Sequence, residues 1–259
     1  MVREEGNKAL VYALIPARGG SKSIKLKNIR TIDGIPLIAH SIETAKKARL
    51  ISNTFVSTDN RMIADISRKF GAVVPFIRPA EISQDETRDY DVLNHFIQWI
   101  TASEYSVPDI ICFLRPTYPH RNPSIIDLAI ERLSNSSEAS GLRSVCLANQ
   151  TPFKMWSINK KGFGQPALTI SEDKDSTNAP RQELPAVYWQ DGYVDCIKTR
   201  NLLETKSMLG SRVLMFLTPQ FGAEIDYQED LVSLNANMYG SKYIAETSAT
   251  ILDRVRRPS

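Results

Sequence analysis

Soft metal ligands are scarce in this chain, with three cysteines and three histidines among 259 residues. No Cys-x-x-Cys or His-Glu-x-x-His spacing occurs, so a zinc centre is not expected. Cys112, Cys146 and Cys196 are far apart, and each sits in an apolar, strand-like run. They read as buried free thiols rather than as a disulfide framework or an activated nucleophile. His40 and His95 fall within helical patterns and read as packing or surface residues. Long uncharged apolar runs are missing too; none approaches the ~18 residues of a membrane-spanning helix. Met1-Val2-Arg3-Glu4-Glu5 carries no apolar segment of the kind a secretion signal needs. Excess charge is absent: 32 Lys and Arg against 29 Asp and Glu leave +3, too little to suggest nucleic acid or a membrane as partner. A cytoplasmic globule is the expectation. Gly-x-x-x-x-Gly-Lys-Ser/Thr is absent, and Gly162-Phe163-Gly164 lacks the third glycine of a dinucleotide fingerprint.

One absence is local. Between Val11 and Ile32 there is no Asp or Glu, whereas Arg18, Lys22, Lys25, Lys27 and Arg30 all stand there. An apolar run, Ala9 to Ile15, stops at Pro16, and Ala17-Arg18-Gly19-Gly20-Ser21-Lys22 follows at once. Paired glycines let backbone N–H groups turn inward with no Cβ in the way. Arg18 and Lys22 add charge to that cradle. A strand end, a nest of N–H groups and clustered cations describe a polyphosphate site. The plainer alternative is a solvated basic loop, which requires neither the paired glycines nor the exclusion of acids.

Along the chain, strand-like runs (Leu10–Ile15, Thr54–Ser57, Val73–Phe76, Ile110–Leu114, Ser144–Leu147) alternate with helical periodicity at Leu37–Ala48, Met62–Phe70, Val92–Ile100 and Ile125–Leu133. That rhythm predicts an α/β fold, a doubly wound and mostly parallel sheet with helices on both faces. Ligands on such sheets bind at the carboxyl ends of strands. The Arg18 loop, Ser57-Thr58-Asp59 and Arg115-Pro116-Thr117 all fall at such ends. The rhythm breaks from Thr151 to Pro185, where four prolines and a polar run leave no room for a helix. Phe153–Ile158 and Val187–Gln190 suit hairpin strands. An arm that cannot bury its own face packs on something else, often a second subunit. Afterwards the rhythm resumes with Tyr193–Ile197, Val213–Leu217 and a helix from about Tyr227.

Glu224-Ile225-Asp226 sets two carboxylates on one face of an extended chain. Hard oxygens so placed suit Mg²⁺. Asp226 followed by Glu229 also suits a helix capping box. Asp85 suits either an N-cap for the helix through Leu93 or a binding role. Asp191-Gly192 suits a plain turn, and two prolines pre-aim the loop Arg115-Pro116-Thr117-Tyr118-Pro119.

Together these segments resemble, over about residues 9 to 235, the CMP-sugar synthetases. These are the cytidylyltransferases that activate sialic acid and other 3-deoxy-2-ketoaldonic acids. Ile15-Pro16-Ala17-Arg18, Ser21-Lys22 and Lys27-Asn28 match the family's nucleotide loop. Arg78-Pro79-Ala80-Glu81-Ile82, then Asp85 and Thr87, match its segment beside cytosine and ribose. Pro180-Arg181-Gln182-Glu183-Leu184-Pro185 matches its arm motif, in which Arg181 and Gln182 would meet the acceptor across a dimer. The resemblance implies one nucleotidyltransferase domain over 1–259 with 151–190 as an inserted dimerisation and acceptor arm. It implies a homodimer using CTP, Mg²⁺ and a 2-keto sugar acid, sialic or legionaminic in type. Arg18, Lys22 and Asp226 would be catalytic. Three departures stand out: Glu224 for an aspartate, Arg115 for a glutamine and Asp191 for an asparagine. The last two alter the acceptor pocket formed with Pro116, Thr117 and Gly192. Either Arg115 and Asp191 pair, or they read a substituent that N-acetylneuraminate lacks, which favours a modified nonulosonate. An octulosonate acceptor, another sugar nucleotidyltransferase, or a binding homologue without turnover are the alternatives.

Overall fold

The computed structural model describes residues 8–169, 176–218, 225, 227, 229 and 230. The apolar run at the start becomes β1 (Val11–Pro16). Its alternation feeds two cores at once. Val11, Ala13 and Ile15 join one buried cluster, and Tyr12 and Leu14 join another, as a strand covered on both faces requires. A short antiparallel pair, β2 (Thr31–Ile32) and β3 (Ile35–Pro36), leads into α1 (Leu37–Lys47). Next come β4 (Asn53–Ser57), α2 (Arg61–Lys69), α3 (Asp89–Thr101), β5 (Ile110–Phe113), α4 (Pro123–Ser134) and β6 (Gly141–Leu147). The arm region supplies a separate hairpin, β7 (Trp156–Ile158) with β8 (Gly164–Pro166). The chain then returns through β9 (Tyr188–Lys198), α5 (Thr199–Thr205) and β10 (Val213–Leu217).

The main sheet has the order β10-β6-β9-β5-β1-β4. β1 pairs in parallel with β4 on one side and β5 on the other, and β10 pairs in parallel with β6. β9 runs antiparallel between β5 and β6. The chain thus goes from β1 outward to β4 and then crosses to β5. That reversal opens a crevice at the carboxyl ends of β1, β4 and β5. No helix among the described residues is long and apolar enough to cross a membrane. The three cysteines are buried and free.

Two elements differ from the sequence reading. Val73–Phe76 makes a single isolated bridge, Val73 to Phe55, on the outer edge of β4, because Pro75 has no N–H to extend the ladder. Val187–Gln190 and Tyr193–Ile197 are not separate strands. They are two ends of β9, with Asp191-Gly192 inside it. The helix expected from Tyr227 lies mostly outside the described residues.

Candidate active site

The crevice is a cleft of about 480 Å³ whose lining includes Pro16, Arg18, Ser21, Lys22, Lys27 and Asn28 from the first loop. Arg78, Asp85, Thr87 and Asp89 line a second wall, and Arg115, Pro116 and Thr117 a third. Segments separated by up to a hundred residues in sequence therefore meet as their positions at strand ends require.

The loop is built differently from a simple nest. The Gly19 N–H donates to Asp59 Oδ1 at 2.8 Å, away from the cleft. A Cβ on Gly19 would stand 2.8 Å from Asn60 Nδ2, whereas one on Gly20 would meet nothing. Gly19 is thus required by close packing on the start of α2, not by an inward N–H. The Ala17 N–H continues the β1–β4 ladder to the Ser57 carbonyl at 2.9 Å. Asn28, buried, donates from Nδ2 to the Arg18 carbonyl at 2.9 Å and so sets where Arg18 stands. Side chains, then, supply the cradle's charge.

Asp85 faces those cations. Arg18 Nη1 lies 2.6 Å from its Oδ1, and Lys22 Nζ is paired with its Oδ2. The hydrogen bond from Lys22 is the main cause holding the Asp85 carboxyl below its usual range, and the Lys22 amine is raised in return. Asp85 is not a helix cap. α3 begins at Asp89, and the Arg88 N–H is taken by Asp91 at 3.2 Å. Thr87 Oγ1 accepts the Gln84 N–H at 2.9 Å, which tightens the turn carrying Asp85. Arg78 is buried, with Nε bonded to Ser83 at 3.1 Å, and burial lowers its pKa.

Arg115 and Asp191 do not pair with each other. Arg115 sits between Asp89 and the buried Asp195, with Nη1 2.9 Å from Asp195 Oδ2. Arg143 holds the same Asp195 at 2.8 and 3.1 Å. The two cations and two carboxylates cancel. Asp191 belongs to a bulge. The β6–β9 register passes from Arg143↔Asp195 to Val145↔Gln190, so Ser144 alone faces 191–194. The Ser144 hydroxyl accepts the Val194 N–H at 2.9 Å and donates to Asp191 Oδ1 at 2.5 Å. The Thr218 hydroxyl and the Tyr193 N–H also donate to Asp191. Gly192 takes the left-handed φ of 69° at this bulge, where a Cβ is disfavoured. Arg181 lies apart from the cleft lining and reaches the Ala148 carbonyl at 3.4 Å.

Glu224 and Asp226 lie outside the described residues. Ile225, between them in sequence, is buried beside Ile24, Ile32 and Leu37. Its N–H donates to the Thr117 carbonyl at 2.8 Å, and its carbonyl accepts from Lys27 Nζ at 2.8 Å. The Tyr227 N–H is taken by Asp230 at 2.7 Å.

A family model described as cytidylyltransferase matches residues 12–212, a span that holds all three walls of the cleft. The chain belongs to the cytidylyltransferase family. It is 30% identical over 231 residues to the N-acylneuraminate cytidylyltransferase of Oncorhynchus mykiss, covering 89% of this chain and 50% of that one. It is 37% identical over 123 residues to the CMP-N,N'-diacetyllegionaminic acid synthase of Legionella pneumophila, covering 47% and 52%. It is 36% identical over 126 residues to a pseudaminic acid cytidylyltransferase of Campylobacter jejuni, covering 48% and 54%. The chain spans about half the length of these curated relatives. Among solved structures, a CMP-2-keto-3-deoxy-manno-octonic acid synthetase complexed with CTP gives a TM-score of 0.66 at 16% identity, covering 89% and 99% of the two chains. A 4-diphosphocytidyl-2C-methyl-D-erythritol synthase from Anaerococcus prevotii gives 0.60 at 12%, covering 90% and 97%. At such identities the likeness is one of fold.

The cations of the cleft are visible in the sequence as an acid-free stretch, and most of their counter-charges are not. Asp59 and Asp89 carried no pattern beyond a strand end and a helix start. Asp195 did carry a signal: a carboxylate inside the apolar run Tyr193–Ile197 needs a buried partner.

Proposed function

We propose that the chain transfers a cytidylyl group from CTP to a 2-keto-3-deoxy sugar acid of the sialic or legionaminic type, releasing pyrophosphate. The observation that carries this reading is the convergence of Arg18, Lys22 and Arg78 on one crevice at the carboxyl ends of β1 and β4. The names of the relatives favour a nonulosonate acceptor. An octulosonate acceptor rests on likeness of fold alone. Buried free thiols suit a reducing compartment, consistent with action in the cytoplasm on a nucleotide pool.

In the reaction, the anomeric hydroxyl oxygen bonds to the α-phosphorus as the bond to the bridging oxygen of pyrophosphate breaks, and the hydroxyl proton passes to water. Arg18 and Lys22 hold the triphosphate and take up charge on the leaving pyrophosphate. Most of the acceleration comes from holding the two reactants in line. Asp85 occupies these cations until a triphosphate, with several charges against one, replaces it. Arg78 is assigned to the base and ribose side, with Thr87. Pro116, Thr117, Asp191 and Gly192 are assigned to the acceptor, and Arg181 and Gln182 to the acceptor of a partner subunit. Arg115, neutralised by Asp89 and Asp195, shapes this pocket rather than binding a free acid group.

Glu224 and Asp226 are the residues assigned to Mg²⁺. Their fit rests on Ile225, whose backbone is fastened to Thr117 and Lys27 of the cleft wall, and on the hard oxygens such an ion prefers. Bound there, the ion would neutralise phosphate charge.

Thermal unfolding with CTP, UTP, ATP and GTP at equal concentration tests the nucleotide assignment, since a ligand that binds the native state raises the midpoint more the lower its Kd. CTP should give the largest rise. Equal rises with purines would remove the assignment.

A further inference from the structure

Arg121 lies behind the cleft and is buried. It donates five hydrogen bonds: Nε to the Tyr193 carbonyl at 2.6 Å, Nη1 to the Ser41 hydroxyl at 3.0 Å and the Tyr118 carbonyl, and Nη2 to the Arg115 carbonyl at 2.7 Å and the Gly192 carbonyl at 3.2 Å. These use the full complement of guanidinium N–H groups. Arg115 and Tyr118 each precede a proline. Their peptide units have no N–H, so only their carbonyls can tether the loop. Gly192 and Tyr193 belong to the bulge of β9. One fork-shaped side chain therefore grips the Arg115–Tyr118 loop and the bulge together.

The arrangement is expensive. Among the described residues no carboxylate forms an ion pair with Arg121, and burial pulls its pKa down to about 10. The rings of Tyr118 and Tyr193 lie 5.3 and 6.0 Å from its central carbon and share the cation's field. Burying a charge costs stability that an apolar side chain of similar volume would not forfeit. A rigid planar fork gives fixed geometry between the segments it bridges, which an apolar side chain would not supply.

We propose that Arg121 is a positioning residue for the acceptor. It fixes the Arg115–Tyr118 loop against the Asp191-Gly192 bulge and leaves the nucleotide loop untouched. The inference rests on the assignment of those two segments to the acceptor.

The test compares the native chain with Arg121→Lys, which keeps the charge and loses the fork, and with Arg121→Met. Acceptor KM, kcat and CTP affinity are measured for each, with amide exchange as a readout independent of turnover. Arg121→Lys should raise acceptor KM at least about tenfold, the scale of sub-ångström misplacement. CTP affinity should stay within about twofold, because none of the five hydrogen bonds of Arg121 reaches the Arg18 loop. Arg121→Met should lose more. Amide exchange should quicken at Tyr118 and at Gly192–Val194 but not at 19–28. An unchanged acceptor KM, or equal losses for CTP and acceptor, would overturn the proposal. If neither variant folds, Ser41→Ala decides. It removes one acceptor of the fork and should raise acceptor KM about two- to fivefold, and no rise overturns the clamp. A native chain that turns over no sugar acid refutes the acceptor assignment instead. Exchange at the two segments then decides the clamp by itself, and unchanged exchange in Arg121→Lys overturns it.

Discussion

Asp85 gives the clearest case of one residue doing two things. Its carboxylate prevents Arg18 and Lys22 from repelling each other in the free cleft, and it competes with the phosphate they are suited to bind. With its pKa depressed, chiefly by the Lys22 hydrogen bond, the carboxyl stays ionised through mildly acidic pH. The native-state contribution of the pairs is present above the ordinary carboxylate range and is lost only as pH falls through the depressed value. Asp85 and its partners are solvent-accessible, so the competition by Asp85 is weak. Asp85→Asn should accordingly bind pyrophosphate about two- to fivefold more tightly. Arg18→Ala and Lys22→Ala should each lower kcat by ~10²–10³ while the fold persists. Calorimetric titration and steady-state rates check both, and weaker pyrophosphate binding by Asp85→Asn would contradict the competition. Asp195 is the opposite case, a buried carboxylate holding Arg115 and Arg143. Asp195→Ala strips Arg143 of its carboxylate and leaves Arg115 with Asp89 alone, and should cost about 3–5 kcal/mol in urea unfolding. A loss below about 1 kcal/mol, the range of exposed pairs, would contradict that. The cations of the cleft were legible in the sequence because an acid-free stretch is visible there. Their pairing was not, since Asp85 showed only as a cap or binding candidate, Asp195 only as a carboxylate in an apolar run and Asp89 only as a helix start, and folding alone decides which cations they meet.

At the scale of elements, the parallel frame was legible because β1, β4 and β5 are apolar runs ending in loops rich in Gly, Pro and charge. What escaped was continuity. Asp191-Gly192 has the composition of a turn, yet β9 passes straight through it, because Ser144 enters the gap and satisfies the Val194 N–H and the Asp191 carboxylate together. No local signal in β9 announces that a hydroxyl on β6 will do this. Gly192→Ala must adopt a left-handed backbone with a side chain and should cost about 1–2 kcal/mol. Thermal unfolding measures it. A variant as stable as the native chain would mean that the bulge relaxes into a regular ladder.

For the molecule as a whole, the sheet order decides where chemistry can occur, because β1 is the strand at which the winding reverses and its loop carries the cations. The same architecture leaves an apolar face on the arm. Trp156 is 55% exposed, Ile158 75%, Phe163 70% and Trp189 65%, and large apolar side chains left exposed in this number suit an association surface. The expected occupant is a second copy of the chain. Sedimentation at micromolar concentration should give a dimer, and Trp156→Glu with Trp189→Glu should give a monomer. A native monomer would count against it. Whether the cleft joins CTP to a sugar acid is tested by pyrophosphate release from CTP with and without such acids. N-acetylneuraminate, a legionaminate-type diamino acid and an octulosonate form the series. Release should depend on the acceptor, be largest with a nonulosonate and fall by ~10²–10³ in Arg18→Ala. Release that is absent with every acid, or equal with none present, would contradict it.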